Sequence, residues 1–209
     1  SLPAYGQYDI IPAESSVDVM KNYDYIIFTG WNTIPDKIYR NLEEYVESGG
    51  RLFMSAAHLN TNPERDGEIQ LLHDGIFEKL FGCSIDPEAI RTNRGVKFVK
   101  DSLIPEVMYP GTNDYVCDPI YSSGYGNYAK VELCGGSIGA VLDDSFFKTS
   151  DISELPIAVV ENRLGDGVAV LLTSLDYPGH GAIYPLYRAI VRELVTASHR
   201  NCDIKVYGS

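Results

Sequence analysis

Two stretches, Tyr25-Ile-Ile-Phe-Thr-Gly-Trp31 and Gly49-Gly-Arg-Leu-Phe-Met-Ser-Ala-Ala57, decide how this chain folds. The first is a continuous apolar run closed by a glycine, the pattern of a strand covered on both faces. Between the two, Pro35 and Asp36 open a segment in which Ile38, Leu42, Tyr45 and Val46 recur at helical spacing. Lys37, Arg40, Glu43, Glu44 and Glu47 take the opposite face, and Gly49-Gly50 stops the helix. Strand, helix and strand in this order make one parallel βαβ unit.

Outward from this unit, residues 8–12 predict a short strand ended by Pro12, and residues 14–21 a brief helix resting on Val17 and Met20. Residues 58–67 are polar and predict a long loop. Helical period returns over 68–81 through Ile69, Leu72, Ile76, Phe77 and Leu80, with Gly82 as the stop. The pattern then changes. Short strand candidates at 96–99, 129–133 and 138–142 are separated by glycine- and tyrosine-rich turns, which predicts a β-rich insertion over about 86–155. Apolar runs at 157–160 and 168–172 flank Gly165-Asp-Gly167, a hairpin signal. Residues 182–198 form a closing helix with Ile183, Leu186, Ile190, Leu194 and Val195 on one face, and 204–207 a last edge strand. The expected fold is a single α/β domain over 1–209: a flavodoxin-like open, mostly parallel sheet with helices on both faces.

Bulk properties exclude several functions. The 209 residues carry a net charge of −12, which argues against a nucleic-acid partner, since phosphate binding needs a clustered basic surface. The same charge argues against an anionic membrane surface, and no apolar run approaches the roughly 20 residues of a membrane span. A neutral ligand such as a sugar is compatible with it. Cys83, Cys117, Cys134 and Cys202 are widely spaced without a C-x-x-C, so neither a zinc framework nor a redox motif is expected; buried free thiols are. No signal peptide opens the sequence, and the compartment stays open. Among 15 tyrosines, Tyr109, Tyr115, Tyr121, Tyr125 and Tyr128 crowd one glycine-rich region. They read either as cover for an irregular surface or as an aromatic platform for a sugar or a partner chain.

Longer matches carry a family resemblance. Tyr23-Asp-Tyr-Ile-Ile-Phe-Thr-Gly30 with Leu42-Glu-Glu-Tyr-Val-Glu-Ser-Gly-Gly-Arg-Leu-Phe-Met-Ser55 resembles class I glutamine amidotransferase-like domains. The resemblance is nearest to the non-catalytic trimerisation domain of bacterial β-galactosidase-type glycoside hydrolases. Phe77-Glu-Lys-Leu-Phe-Gly-Cys-Ser-Ile85 is similar to the helix and glycine turn after the polar loop of those domains. Val159-Val-Glu-Asn-Arg-Leu-Gly-Asp-Gly-Val-Ala-Val-Leu171 is similar to their terminal hairpin. The match spans roughly residues 8–85 and 155–196. It implies a module of a carbohydrate-active protein whose partners are a carbohydrate, further copies of itself or a catalytic domain of the same protein. Catalytic members place a cysteine in a G-x-C-x-G elbow after the second strand. Ser55-Ala-Ala-His58 stands here instead, so glutaminase chemistry is not expected. Family members also begin with one further strand and helix, which raises the expectation that this chain is a piece of a larger protein.

In an open α/β sheet, ligands sit outside the carboxyl ends of the strands. Three loops leave such ends, carrying Trp31 and Asn32, His58 and Asn60, and Asp176, Tyr177 and His180. If the three strands are neighbours, these residues converge on one cleft, with Trp31 as a stacking face and Asn60, Asp176 and His180 as hydrogen-bonding partners. The bland reading is that Trp31 packs on the helix and the histidines cap loops. Ser55 lacks the glycines of a nucleophile elbow, His58, His180 and Asp176 lack metal-ligand spacing, and Gly135-Gly-Ser-Ile-Gly139 opens no helix as a phosphate loop does. No catalytic residue, metal or cofactor is therefore assigned. The competing expectation is a stand-alone hydrolase or sugar-binding enzyme using the same cleft.

Overall fold

The structure is a computed structural model that describes residues 8–29, 33–64, 67–99, 120–145, 151–177, 180–181, 186–187 and 190–191. The predicted βαβ unit is present: β1 (Tyr25–Phe28), α2 (Asp36–Glu47) and β2 (Arg51–Ser55), with β1 and β2 parallel and Tyr25 opposite Arg51. The apolar stripe of α2 (Ile38, Tyr39, Leu42, Tyr45 and Val46) is buried, as the 3.6-residue period requires. The ring of Tyr45 lies where a Cβ on Gly50 would stand, so Gly50 both ends the helix and admits that ring. The hydroxyl of Tyr45 then donates to the Tyr23 carbonyl at 2.9 Å.

Beyond this unit the sheet departs from expectation. Among the described residues it has eight strands, adding β3 (Ile76–Phe77), β4 (Cys83–Phe98), β5 (Ile120–Leu133), β6 (Ser137–Leu142), β7 (Ile157–Leu164) and β8 (Gly167–Leu172). Their order is β1-β2-β8-β7-β6-β4-β3, with β5 on β4. Among these described strands the β1–β2 and β2–β8 pairs are parallel and the other pairs antiparallel. The sheet is thus mixed, and the mostly parallel expectation is corrected. The cause is the β7–β8 hairpin: its two-residue turn starts at Gly165, with φ of 59°, and reverses the chain inside the sheet. The residues expected as an insertion continue this same sheet in strands longer than predicted.

Helices cover both faces. On one, α1 (Val17–Met20), α2 and α3 (Glu78–Phe81) pack with Leu52, Met54, Val160, Ala169 and Leu171. On the other, Leu186, Tyr187 and Ile190 of the closing helix pack on Phe53, Val159, Val170 and Leu172. Buried Lys97 of β4 is joined to Asp143 at 2.7 Å and donates to Ser145 Oγ at 3.0 Å, satisfying its charge inside the fold.

Three smaller expectations are corrected. Residues 8–12 form no strand, and Ile10 is 89% exposed, because no neighbour among the described residues offers them a ladder. The helix predicted over 14–21 is limited to Val17–Met20. The helix predicted over 68–81 breaks into a 3₁₀ turn (Leu72–Gly75), β3 and α3, because His73 and Asp74 both take left-handed conformations (φ of 52° and 53°). Cys83 is buried and Cys134 exposed, both as free thiols; Cys117 and Cys202 lie outside the described residues, as does the strand predicted at 204–207.

Candidate functional site

β1, β2 and β8 are neighbours, so the condition for a shared cleft at their carboxyl ends is met. Trp31 and Asn32 lie outside the described residues. His58 sits in a 3₁₀ turn (Ala56–Leu59) directly after β2 and is buried. Its ring is held edge-on between Phe28, at 5.7 Å, and Tyr177, at 5.8 Å, which joins the end of β1 to the segments after β2 and β8. Tyr177 is itself 44% exposed and forms the outer side of this stack.

The polar candidates are engaged in local structure. Asn60 Oδ1 accepts from the main-chain N–H groups of Asn62 (3.1 Å) and Gln70 (2.9 Å), which folds the loop back on itself. Its carbonyl accepts from Ile34 N–H at 2.9 Å. Asp176 accepts from the main-chain N–H of Asn127 at 2.7 Å and from the Asn127 side-chain amide at 3.3 Å. Tyr128 pairs with Ser174, and the N–H of Ala129 donates to the Thr173 carbonyl at 3.0 Å. β5 therefore crosses the carboxyl end of β8, where an open α/β sheet would receive a ligand. Tyr128 is buried in this crossing, and burial drives its phenol far above the usual tyrosine range. Of the tyrosines weighed as an aromatic platform, Tyr125 is exposed, with Arg94 stacked 5.6 Å from its ring, whereas Tyr128 belongs to the core. Tyr109 and Tyr115 lie outside the described residues, and Tyr121 is described only as part of β5. His180 is exposed, its N–H donating to the Tyr177 carbonyl at 2.8 Å.

Ser55 is fully buried at the end of β2. Its hydroxyl makes no hydrogen bond of normal geometry among the described residues. The Tyr187 hydroxyl opposite lies close enough to influence ionisation but completes no hydrogen bond of normal geometry. Burial pushes that phenol up to about 12, the Ser55 hydroxyl offsetting part of the rise. Among the described residues no group of His, Cys, Asp and Glu is arranged to hold a metal ion.

A groove of about 330 Å³ opens beside this end of the sheet. Thr33, Ile34, Pro35, Asp36, Thr61, Pro63 and Leu72 line it. Asp36 Oδ1 lies 2.7 Å from His73 Nε2, and its Oδ2 accepts from Arg40 Nε at 2.7 Å. The His73 contact, first, and the Arg40 guanidinium hold the Asp36 carboxyl below the usual carboxylate range. Sequence reading missed this pair. The available signal was the Asp74-Gly75 dipeptide, a turn former inside the supposed helix.

No protein-family model matches the chain, and no curated protein does. Its fold does match solved structures. The β-galactosidase of Rahnella sp. R3 superposes with a TM-score of 0.59 at 17% identity, over 91% of this chain and 25% of that one. The β-galactosidase of Bacillus circulans sp. alkalophilus gives 0.57 at 13%, over 96% and 25%. A cytoplasmic protein of Salmonella typhimurium LT2 gives 0.54 at 12%, over 94% and 82%. The chain thus has the fold of a domain that occupies about a quarter of those β-galactosidases.

Proposed function

We propose that this chain is a non-catalytic, amidotransferase-like module of a carbohydrate-active protein, serving assembly or completing a sugar site. One observation carries the reading: nearly the whole chain superposes on a quarter-length part of β-galactosidases. Two features of the site support it. The serine that ends β2 is buried with no hydrogen bond to its hydroxyl among the described residues, and β5 occupies the carboxyl end of β8. A protein freed from chemistry at this position keeps the scaffold and uses its surface. The cleft of Trp31, Asn32, His58, Asn60, Asp176, Tyr177 and His180 is where a sugar would bind, with Trp31 as stacking face and His180 and Tyr177 as the accessible partners.

The deciding experiment combines sedimentation across a concentration series with a titration of mono- and disaccharides followed by fluorescence of Trp31, the single tryptophan. Self-association, or a saturable shift that Trp31→Phe removes, is the expected result. A strict monomer with a flat fluorescence response sinks the proposal. The second reading, a stand-alone hydrolase or sugar-binding enzyme, is favoured by the Salmonella protein, most of whose length this fold fills. Turnover of an ester, amide or glycoside that His180→Ala abolishes would establish it.

A further inference from the structure

We propose that the groove of about 330 Å³ seats one ring of a neutral sugar, which Asp36, Thr33 and Thr61 hold by its hydroxyls. The lining decides the ligand class. Ile34, Pro35, Pro63 and Leu72 give an apolar share, and Thr33, Thr61 and Asp36 a polar one. Mainly apolar walls with a few polar groups are the make-up of small-molecule sites, and this volume stands at the small end of their range. An anion would meet the Asp36 carboxylate. A cation would find that carboxylate already compensated, since Oδ1 lies 2.7 Å from His73 Nε2 and Oδ2 accepts from Arg40 Nε at 2.7 Å. A purely apolar molecule would desolvate it without offering a partner. A hydroxyl donor suits it: each oxygen has spent one acceptor position and keeps another, and adjacent hydroxyls of one ring match the pair. The choice of a sugar among polyhydroxyl compounds rests on the role proposed above.

The groove is built before any ligand arrives. Ile34 N–H donates to the Asn60 carbonyl at 2.9 Å, which ties the segment that opens α2 to the loop after β2. Thr61 Oγ1 donates to the Gln70 carbonyl at 2.9 Å, so its proton is fixed and its oxygen remains an acceptor. Thr33 takes part in no hydrogen bond among the described residues, and its hydroxyl turns freely as donor or acceptor. Pro35 and Pro63 have little freedom to lose on binding. The cleft around His58 differs in this respect. There Asn60 Oδ1 and the Asp176 carboxylate are engaged by main-chain N–H groups. The groove keeps polar positions that the cleft has committed to the fold.

The test is an amide-shift titration of the ¹⁵N-labelled chain with D-glucose, D-galactose and D-mannose in turn. For at least one sugar the amides of Thr33, Ile34, Asp36, Thr61 and Leu72 are expected to shift together and saturably. Thr33→Val, which keeps the side chain's shape, is expected to weaken that binding about fivefold, the loss of one neutral hydrogen bond. Asp36→Ala removes charge-assisted bonds and is expected to weaken it about tenfold or more. Shifts confined to His58 and residues 177–180 overturn the groove site and leave the cleft reading standing. No shift with any of the three sugars also overturns it, while sedimentation still decides the assembly role. Unchanged affinity in both variants overturns it as well. If Asp36→Ala fails to fold, Thr33→Val alone is read against the parent by the same criteria.

Discussion

The carboxylate of Asp176 accepts the main-chain N–H of Asn127 at 2.7 Å, and this bond fastens β5 across the end of β8. Two further contacts close the same junction: Leu175 N–H donates to the Asn127 carbonyl at 2.8 Å and the Ser174 hydroxyl to the same carbonyl at 3.2 Å. A residue that its loop position suggests as a ligand donor thus spends its charge on the fold.

Asp176→Ala should therefore destabilise the protein even with no ligand present. The variant removes both acceptors and leaves the partly buried Asn127 N–H unmatched, at a cost of about 1–3 kcal/mol. Asp176→Asn keeps one acceptor and should cost less. Urea unfolding would show a lower midpoint with unchanged slope. A midpoint equal to the parent's would mean that the junction is held by the other contacts alone.

Gly167→Ala should be worse. A methyl at Gly167 would fall on the carbonyl oxygens of Val46 and Gly50, at the seam between α2 and the β7–β8 hairpin. Both obstacles are backbone and neither rotates away, so the cost should reach about 3 kcal/mol, the upper end for overpacking. Gly124→Ala, with nothing within 4 Å of the added methyl, is the control and should leave the thermal midpoint nearly unchanged.

These seams explain what the sequence disclosed and what it hid. The βαβ unit was legible because α2 must bury Ile38, Leu42 and Tyr45 on one stripe, and Gly165-Asp-Gly167 announced its hairpin by turn chemistry alone. Strand direction was not legible: the runs around Val159 and Val170 are buried on both faces and look the same beside a parallel or an antiparallel neighbour. The turn at His73 was hidden by apolar residues that mimic helical period across Asp74-Gly75. The topology brings the segments after β2 and β8 together, since His58 and Tyr177 meet. Which polar atoms were already spent was out of reach, because Asp176 is consumed by a partner 49 residues away in sequence.

Ser55→Ala should be neutral or mildly stabilising, within about 1 kcal/mol. The hydroxyl it removes is buried and makes no hydrogen bond, so its desolvation is uncompensated in the parent. Tyr187→Phe should behave alike, and the double variant should not be worse than the sum. Differential scanning calorimetry reads this directly. A loss of several degrees in Ser55→Ala would reveal a buried partner, such as a bound water, for that hydroxyl.

The two described cysteines should differ sharply in reactivity. Burial pushes the Cys83 thiol up to about 12, so it stays protonated and shielded at neutral pH, while Cys134 is exposed. Alkylation at pH 8 followed by peptide mapping should label Cys134 in the folded protein and Cys83 only after unfolding. The raised value also sets a sign for stability. The contribution is fully present below the ordinary thiol range, near 8.5, and is lost as pH rises toward 12. Equal labelling of both thiols in the native protein would contradict the buried placement.

Burial also decides which histidine can test the cleft. His58 fills the space between Phe28 and Tyr177, so His58→Ala opens a hole at the junction of three loops and should cost about 2–3 kcal/mol. Any loss of sugar binding in that variant would carry the collapsed turn with it. His180 is exposed, so His180→Ala opens no buried hole and should cost less stability than His58→Ala. Binding measured by Trp31 fluorescence in His180→Ala therefore isolates the ligand contact. A several-fold weaker dissociation constant with an unchanged melting temperature places His180 at the sugar. Unchanged binding in His180→Ala, alongside a lowered melting temperature in His58→Ala, would reduce both histidines to parts of the scaffold.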